Sequence, residues 1–261
     1  MKLTASVIVR NELHRYLEPC VAHLLEFCDS VRIFDDSSTD GWQEALHGAW
    51  GNDGRRVLAL NGTAMGRNSE PAFFHHAAAR NRLLKFTLDD WPTHILAIDA
   101  DEFVGDGHAV RRACESRGDL WSLTVQEVWE AQERSLFTRE DGGWRSHEIG
   151  ILWRPEPFRR QVLQIRDNGH ATGRVPARLD RVKSQPTGTE LLHFGWTNQG
   201  ERSERYARYA IGDAGKFHAR THIDSIMWPA RRVRLKRRDW PVGLVGRREE
   251  LLERVRRPVA A

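Results

Sequence analysis

One pattern in the first hundred residues constrains this chain more than any other. Short apolar runs rich in β-branched residues each stop at a polar cluster, and stretches with helical spacing separate them. Leu3 to Val9 is such a run and stops at Arg10-Asn11-Glu12. His14 to Cys28 follows, with Leu17, Val21, Leu24, Leu25 and Cys28 along one helix face. Val31 to Phe34 is the second run, and it ends in Asp35-Asp36-Ser37-Ser38-Thr39-Asp40-Gly41, dense in turn and N-cap residues. A helix is expected to start near Thr39 or Asp40 and to run through Trp42, Ala45 and Leu46 before the turn at Gly51 to Gly54. Val57 to Leu60 reads as a third strand and Phe73 to Leu88 as a strong helix. Ile95 to Ile98 is a fourth strand, which delivers Asp99, Asp101 and Glu102.

Such alternation predicts an α/β fold with a mostly parallel, helix-flanked sheet, in which ligands gather at the carboxyl ends of the strands. Three of those ends are polar here. After Val104 the pattern loosens: Leu120 to Val128 and Ile149 to Trp153 read as strands, and Arg202 to Ala214 and Arg247 to Val255 as helices. No repeat and no linker is visible, so one core is expected.

With 40% hydrophobic and 29% charged residues, the 261-residue chain is neither disordered nor a disulfide scaffold. No apolar run approaches the roughly 20 residues that cross a bilayer. Cys20, Cys28 and Cys114 have no metal-type spacing, so buried free thiols in a reducing compartment, the cytoplasm, are expected. The net charge of +4 is uneven: from Met227 onward 11 Lys/Arg face 4 Asp/Glu, a local +7, which leaves −3 for the rest. The run Arg231 to Arg238 suits a solvated tail, an anionic surface or an acidic partner.

Asp99 and Asp101 stand two apart at a strand end, where continued strand geometry points both carboxylates to one side. Hard divalent cations take such oxygens together with substrate phosphates. Taken alone, the pair is more often a solvated loop after a strand.

The pair does not stand alone. Val7-Ile8-Val9-Arg10-Asn11-Glu12, Ile33-Phe34-Asp35-Asp36-Ser37-Ser38-Thr39-Asp40-Gly41, Ala79-Arg80-Asn81 and Ile98-Asp99-Ala100-Asp101-Glu102-Phe103 occur in one order over the first hundred residues. In these stretches the chain resembles family-2-like glycosyltransferases of the GT-A fold. Through Leu191-Leu192-His193-Phe194-Gly195-Trp196 and Arg205-Tyr206 to His222 it resembles the shorter enzymes of actinobacteria and their phages.

That resemblance implies a Rossmann-like GT-A domain over residues 1–226, with a nucleotide-sugar half at 1–104 and an acceptor half with a lid at 105–226. A basic helical extension would occupy 227–261. It implies Asp36 against the nucleoside, with Arg10, Asn11 and Glu12 lining the same pocket and Arg80 facing the donor. Asp99 would lie near ribose and metal, Asp101 would bind the metal that bridges the diphosphate, and His193 would be a further ligand. An imidazole beside two carboxylates suits Mn2+ better than Mg2+. A uridine diphosphate sugar is the expected donor.

Direct displacement needs a carboxylate to take the proton of the incoming hydroxyl. Asp141, in a Gly-rich loop with Trp144 available to stack on a sugar, is preferred over Glu130. Arg202, Arg205 and Lys216 suit a lid over the diphosphate, or equally a solvated helix face. The Trp-rich stretch from Trp121 to Trp196 offers flat apolar surface, so a protein or glycan acceptor, such as a phage virion protein, is favoured over modified DNA bases. Two readings compete. A nucleotidyltransferase also pairs carboxylates on such a sheet, but Arg10-Asn11-Glu12 stands where its Gly-rich loop belongs. A nucleic-acid-binding protein using the basic tail is opposed by the −3 body.

Overall fold

In the computed structural model, residues 1–36, 38–41, 56–61, 76–158, 161–166, 173–212 and 219–256 are described. They divide into two compact units: Met1–Asp101 with Gly107–Leu123 and Ile149–Thr189, and Glu102–Asp106 with Thr124–Glu148 and Glu190–Ala261.

The first unit is the expected α/β assembly. Strands β1 (Leu3–Val9), β2 (Ser30–Asp35), β3 (Val57–Asn61) and β4 (His94–Asp99) are parallel in the order β4-β1-β2-β3. Every residue of β1 and β2 is buried, as a parallel sheet covered on both faces requires. A π-helical turn (Leu13–Leu17) leads into α1 (Glu18–Phe27), and α2 (His76–Leu88) packs on β1 and β2. The helix expected near Thr39 is absent over 38–41, and its remainder lies outside the described residues, as do 73–75 of the predicted α2.

Two elements here carried no strong sequence signal. A short strand, β5 (Glu102–Val104), follows β4 and belongs to the second unit, and α3 (Gly107–Glu115) packs on α1. Gly107 permits that approach: a Cβ there would lie 2.4 Å from Phe27 Cδ1. Strand β6 (Leu120–Gln132) runs longer than expected and crosses from the first unit into the second.

The second unit is antiparallel. Strand β7 (Ser135–Arg139) pairs with β6, with a bulge between Val128 and Glu130. Strand β8 (His147–Trp153) lies mostly in the first unit, where its Leu152 and Trp153 pair antiparallel with β4. Strand β9 (Gln185–His193) begins in the first unit and ends in the second, where it pairs with β5. Helices α4 (Gln199–Gly212) and α5 (Arg220–Asp224) follow, and α6 (Arg248–Arg256) ends the described chain.

The stretch 227–256 is no separate tail. Its Leu235–Arg238 forms β10, paired with β7, and Trp240 Nε1 donates to Gln132 O at 2.8 Å. Three basic residues of the run are engaged inside the unit: Arg234 with Glu140 O, Arg237 with Ser135 Oγ, and Arg238 with Thr138, Glu140 and Glu190.

Trp129, Trp144, Trp196 and Ile226 form the core of this unit. All five tryptophans from Trp121 to Trp196 are at most 5% exposed, so the flat sugar-facing surface expected of them is core instead. Large indoles are placed inside because they bury the most apolar area. Cys20, Cys28 and Cys114 are buried free thiols, as expected. Burial pushes the Cys114 thiol up to about 12 and Cys28 further still. No helix among the described residues is long and apolar enough to cross a membrane.

Candidate functional site

The parallel register aligns the polar strand ends of the first unit. Val9 pairs with Asp35 and Ile8 with Asp99, so the segments after β1, β2 and β4 leave the sheet side by side. Asp36 N–H still donates to Val9 O at 2.9 Å, and its carboxylate lies 3.7 Å from Arg10. Asn11 adopts φ 55°, a left-handed conformation that asparagine tolerates better than most residues. That turn lets Asn11 N–H donate to Ser38 Oγ and Asn11 Oδ1 accept from Thr39 N–H, both at 2.8 Å. Ser38 N–H donates to Asp35 Oδ1, and Leu13 N–H to Asp40 Oδ2. The two polar loops are thus laced into one surface. Glu12 contributes its carbonyl, which caps the turn at Arg15 and Leu17, and its carboxylate lies 3.7 Å from Arg15. Ser37 lies outside the described residues.

Arg80 and Asn81, adjacent on α2, do different work. Arg80 is 4% exposed and donates from Nη2 to Asp99 Oδ1 at 2.8 Å. Asn81 accepts from Ile165 N–H at 2.7 Å and donates to Ile165 O at 2.9 Å, pinning the 161–166 segment to the helix. Arg174 takes the second oxygen of Asp99 at 3.1 Å. Nothing in the sequence marks Arg174, a lone arginine in a segment without periodicity. The cluster of Arg80, Arg174 and Asp99 holds two guanidiniums to one carboxylate, a pairing that suits a phosphate. Asp101 is 5% exposed, not a solvated loop residue.

In the second unit, His193 pairs with Glu102 in the β5–β9 register, and its Nδ1 lies 2.7 Å from Glu127 Oε2. Sequence reasoning missed Glu127, which reads as one more polar position on a strand.

The two candidate bases differ. Asp141 receives two hydrogen bonds from Arg139, at 2.9 Å each, and a third from Arg234 N–H. These bonds outweigh burial and hold its carboxyl below the usual range, so it is a weak base. Arg139 itself packs against both Trp129 and Trp144, 4.6 and 4.9 Å from their ring centres. Trp144 is buried, stacks on His222 at 4.5 Å and donates to Ser225 Oγ, so it offers no face to a sugar. Glu130 stands beside the bulge, where its charge partly offsets the lowering that burial imposes on Arg202.

Arg202 lies over Trp129 at 4.7 Å and donates to Trp196 O at 3.0 Å, and Arg205 lies over Trp196 at 5.1 Å. Both are packed on indoles rather than solvated. Lys216 lies outside the described residues.

Among the described residues, no group of three His, Cys, Asp or Glu side chains is arranged to hold a metal ion. Asp99 has both oxygens engaged by arginine, and Asp101 is a second carboxylate of the type that hard cations take. One carboxylate completed by substrate phosphates is a common arrangement for such ions.

No protein-family model matches the chain, and no curated protein matches it. Solved structures do. Residues 1–349 of S. aureus TarS, solved also with UDP and with UDP-GlcNAc, are 14% identical over 87% of this chain and 69% of that one, with a TM-score of 0.48. HddC from Yersinia pseudotuberculosis is 10% identical over 74% of this chain and 93% of its own, at 0.43. Mannose-1-phosphate geranyltransferase from Thermus thermophilus is 16% identical over 59% of this chain and 50% of its own, at 0.32. None of the three reaches a TM-score of 0.5, and the functional assignment therefore rests on this chain's own residues.

Proposed function

We propose that this chain is a glycosyltransferase of the GT-A kind, which takes a nucleotide sugar at the carboxyl ends of β1, β2 and β4 and passes the sugar to a hydroxyl. The observation that carries this reading is the alignment of three polar strand ends in one parallel register, with Arg80 and Arg174 both on Asp99. Asp36, with Arg10, Asn11 and Glu12, would receive the nucleoside. Arg80 and Arg174 would face the diphosphate, with Asp99 holding both guanidiniums in place.

A divalent cation, Mn2+ before Mg2+, is proposed at Asp101 together with diphosphate oxygens, and His193 is proposed as a metal ligand from the sequence resemblance. When bound, the ion stabilises the charge that develops on the leaving nucleoside diphosphate. Arg80 and Arg174 oppose the same charge from the protein side. Glu130 is the proposed proton acceptor, since Asp141 is committed to Arg139.

The acceptor is proposed to be a protein or glycan. Arg234, Arg237 and Arg238 are spent on contacts inside their own unit, which weakens the case for a basic arm on DNA. A cytoplasmic location is proposed from the three free thiols.

The test is a thermal-shift panel of nucleotide sugars with Mn2+. A donor present at 100 times its dissociation constant adds about 2.7 kcal/mol to stability. A uridine diphosphate sugar is expected to raise Tm most; a response to no nucleotide sugar would overturn the assignment.

A further inference from the structure

We propose that Glu127 is the positioning residue of His193: its carboxylate fixes the imidazole in the tautomer protonated at Nδ1, which places the ring's lone pair on Nε2. The inference rests on the proposed function only for what Nε2 then does, namely serve as a ligand atom.

The geometry leaves little freedom. Glu127 Oε2 and His193 Nδ1 are 2.7 Å apart, within the range of a charge-assisted hydrogen bond, and the side chains are only 14% and 16% exposed. The histidine backbone is fixed by its pairing with Glu102, and Trp196 sets the ring plane edge-on at 5.8 Å. At 2.7 Å the pair shares one proton, and a carboxylate facing an imidazole nitrogen accepts that proton from the ring, so it belongs to Nδ1. A neutral ring then carries its lone pair on Nε2. A carboxylate behind a histidine in this way orients the ring and raises its basicity as a ligand.

The experiment uses the full chain without metal. Long-range 1H–15N spectra, with the His193 signal assigned by its loss in His193→Gln, report the tautomer directly. Wild type is expected to show Nδ1–H. Glu127→Gln, whose amide can donate as well as accept, is expected to move the population towards Nε2–H, and Glu127→Asp to retain part of the wild-type preference. Mn2+ affinity followed by electron paramagnetic resonance is expected to fall about 10- to 100-fold in Glu127→Gln.

Nε2–H in the wild type would overturn the inference even if the variants fail to fold, and so would an unchanged tautomer in a folded Glu127→Gln. A tautomer shift with Mn2+ affinity equal in wild type and His193→Gln supports the positioning role and counts against the metal reading, so the two failures are distinguishable.

Discussion

The guanidinium of Arg80 holds Oδ1 of Asp99 at 2.8 Å, while Arg174 holds the other oxygen of the same carboxylate. Asp99 is therefore a counter-ion first. Asp99→Asn is expected to lower stability by about 1–3 kcal/mol, because Arg80 is left buried with a weakened partner. Thermal melts of Asp99→Asn should show a lower Tm than wild type, and equal melting would contradict the counter-ion role.

For Asp101→Asn, isosteric but uncharged, donor turnover with Mn2+ is expected to fall by about 10²-fold or more, the scale on which one electrostatic contact to a developing charge is measured. Turnover at the wild-type rate would remove Asp101 from the site.

Arg139 is almost fully buried against two indoles and bonded to Asp141, so Arg139→Ala is expected to cost about 3 kcal/mol. In a chain of this size that is a drop in Tm of roughly 6–12 °C. Arg139→Met, which refills the space without charge, should recover part of it. Equal melting of Arg139→Ala and wild type would show that the aromatic core does not depend on its cation.

Acid should destabilise the first unit in two windows. Burial, then the charges of Arg154 and the N-terminus, lower His94 to about 4 from an ordinary 6.5. The folded form prefers the neutral ring, so the stability it contributes is present above pH 6.5 and is lost as pH falls towards 4. At most about 3 kcal/mol is involved. Asp90 and Asp29 follow at lower pH. Burial would raise both, but bonds from Lys2 and Ser30 with the charge of Arg32 hold Asp90 down, and bonds from Arg111 and Leu3 hold Asp29 down. Their contribution is present above the ordinary carboxylate value and disappears as pH falls through the depressed one. Melts of His94→Gln between about pH 7 and 4 should show a flatter slope than wild type. The same slope would clear His94 of the effect.

Deleting residues 230–261 is expected to unfold the second unit rather than trim a tail. The deletion removes β10 from β7 and the Trp240 bond to Gln132, and it takes away Leu251 and Leu252, both buried. Limited proteolysis and circular dichroism of the truncated chain would check this, and a truncated protein with wild-type melting would contradict it.

The strand ends of the first unit were legible because a buried parallel strand must be apolar along its length, so a sudden polar triplet marks where it leaves the sheet. Leu3–Val9 and its stop at Arg10 show this directly. Asp99 and Arg80 stood out in the sequence as candidates, but their mutual bond did not, since nothing in a sequence tells which charges neutralise each other. Strand β10 was hidden for the opposite reason. Arg237 and Arg238 satisfy their charges on Ser135, Thr138, Glu140 and Glu190, all far away along the chain, so a strand read as a solvated run. Trp144 misled through its chemistry: the same indole that stacks on a sugar also fills a core, and only burial separates the two.

Donor binding and turnover at the ends of β1, β2 and β4 are tested most directly by following release of UDP from UDP-sugars with Mn2+ in wild type, Arg80→Ala and Asp101→Asn. Measurable release by wild type that falls about 10²-fold or more in both folded variants is the predicted result. Release by neither wild type nor variants, with UDP and every other nucleoside diphosphate failing to bind, would contradict it.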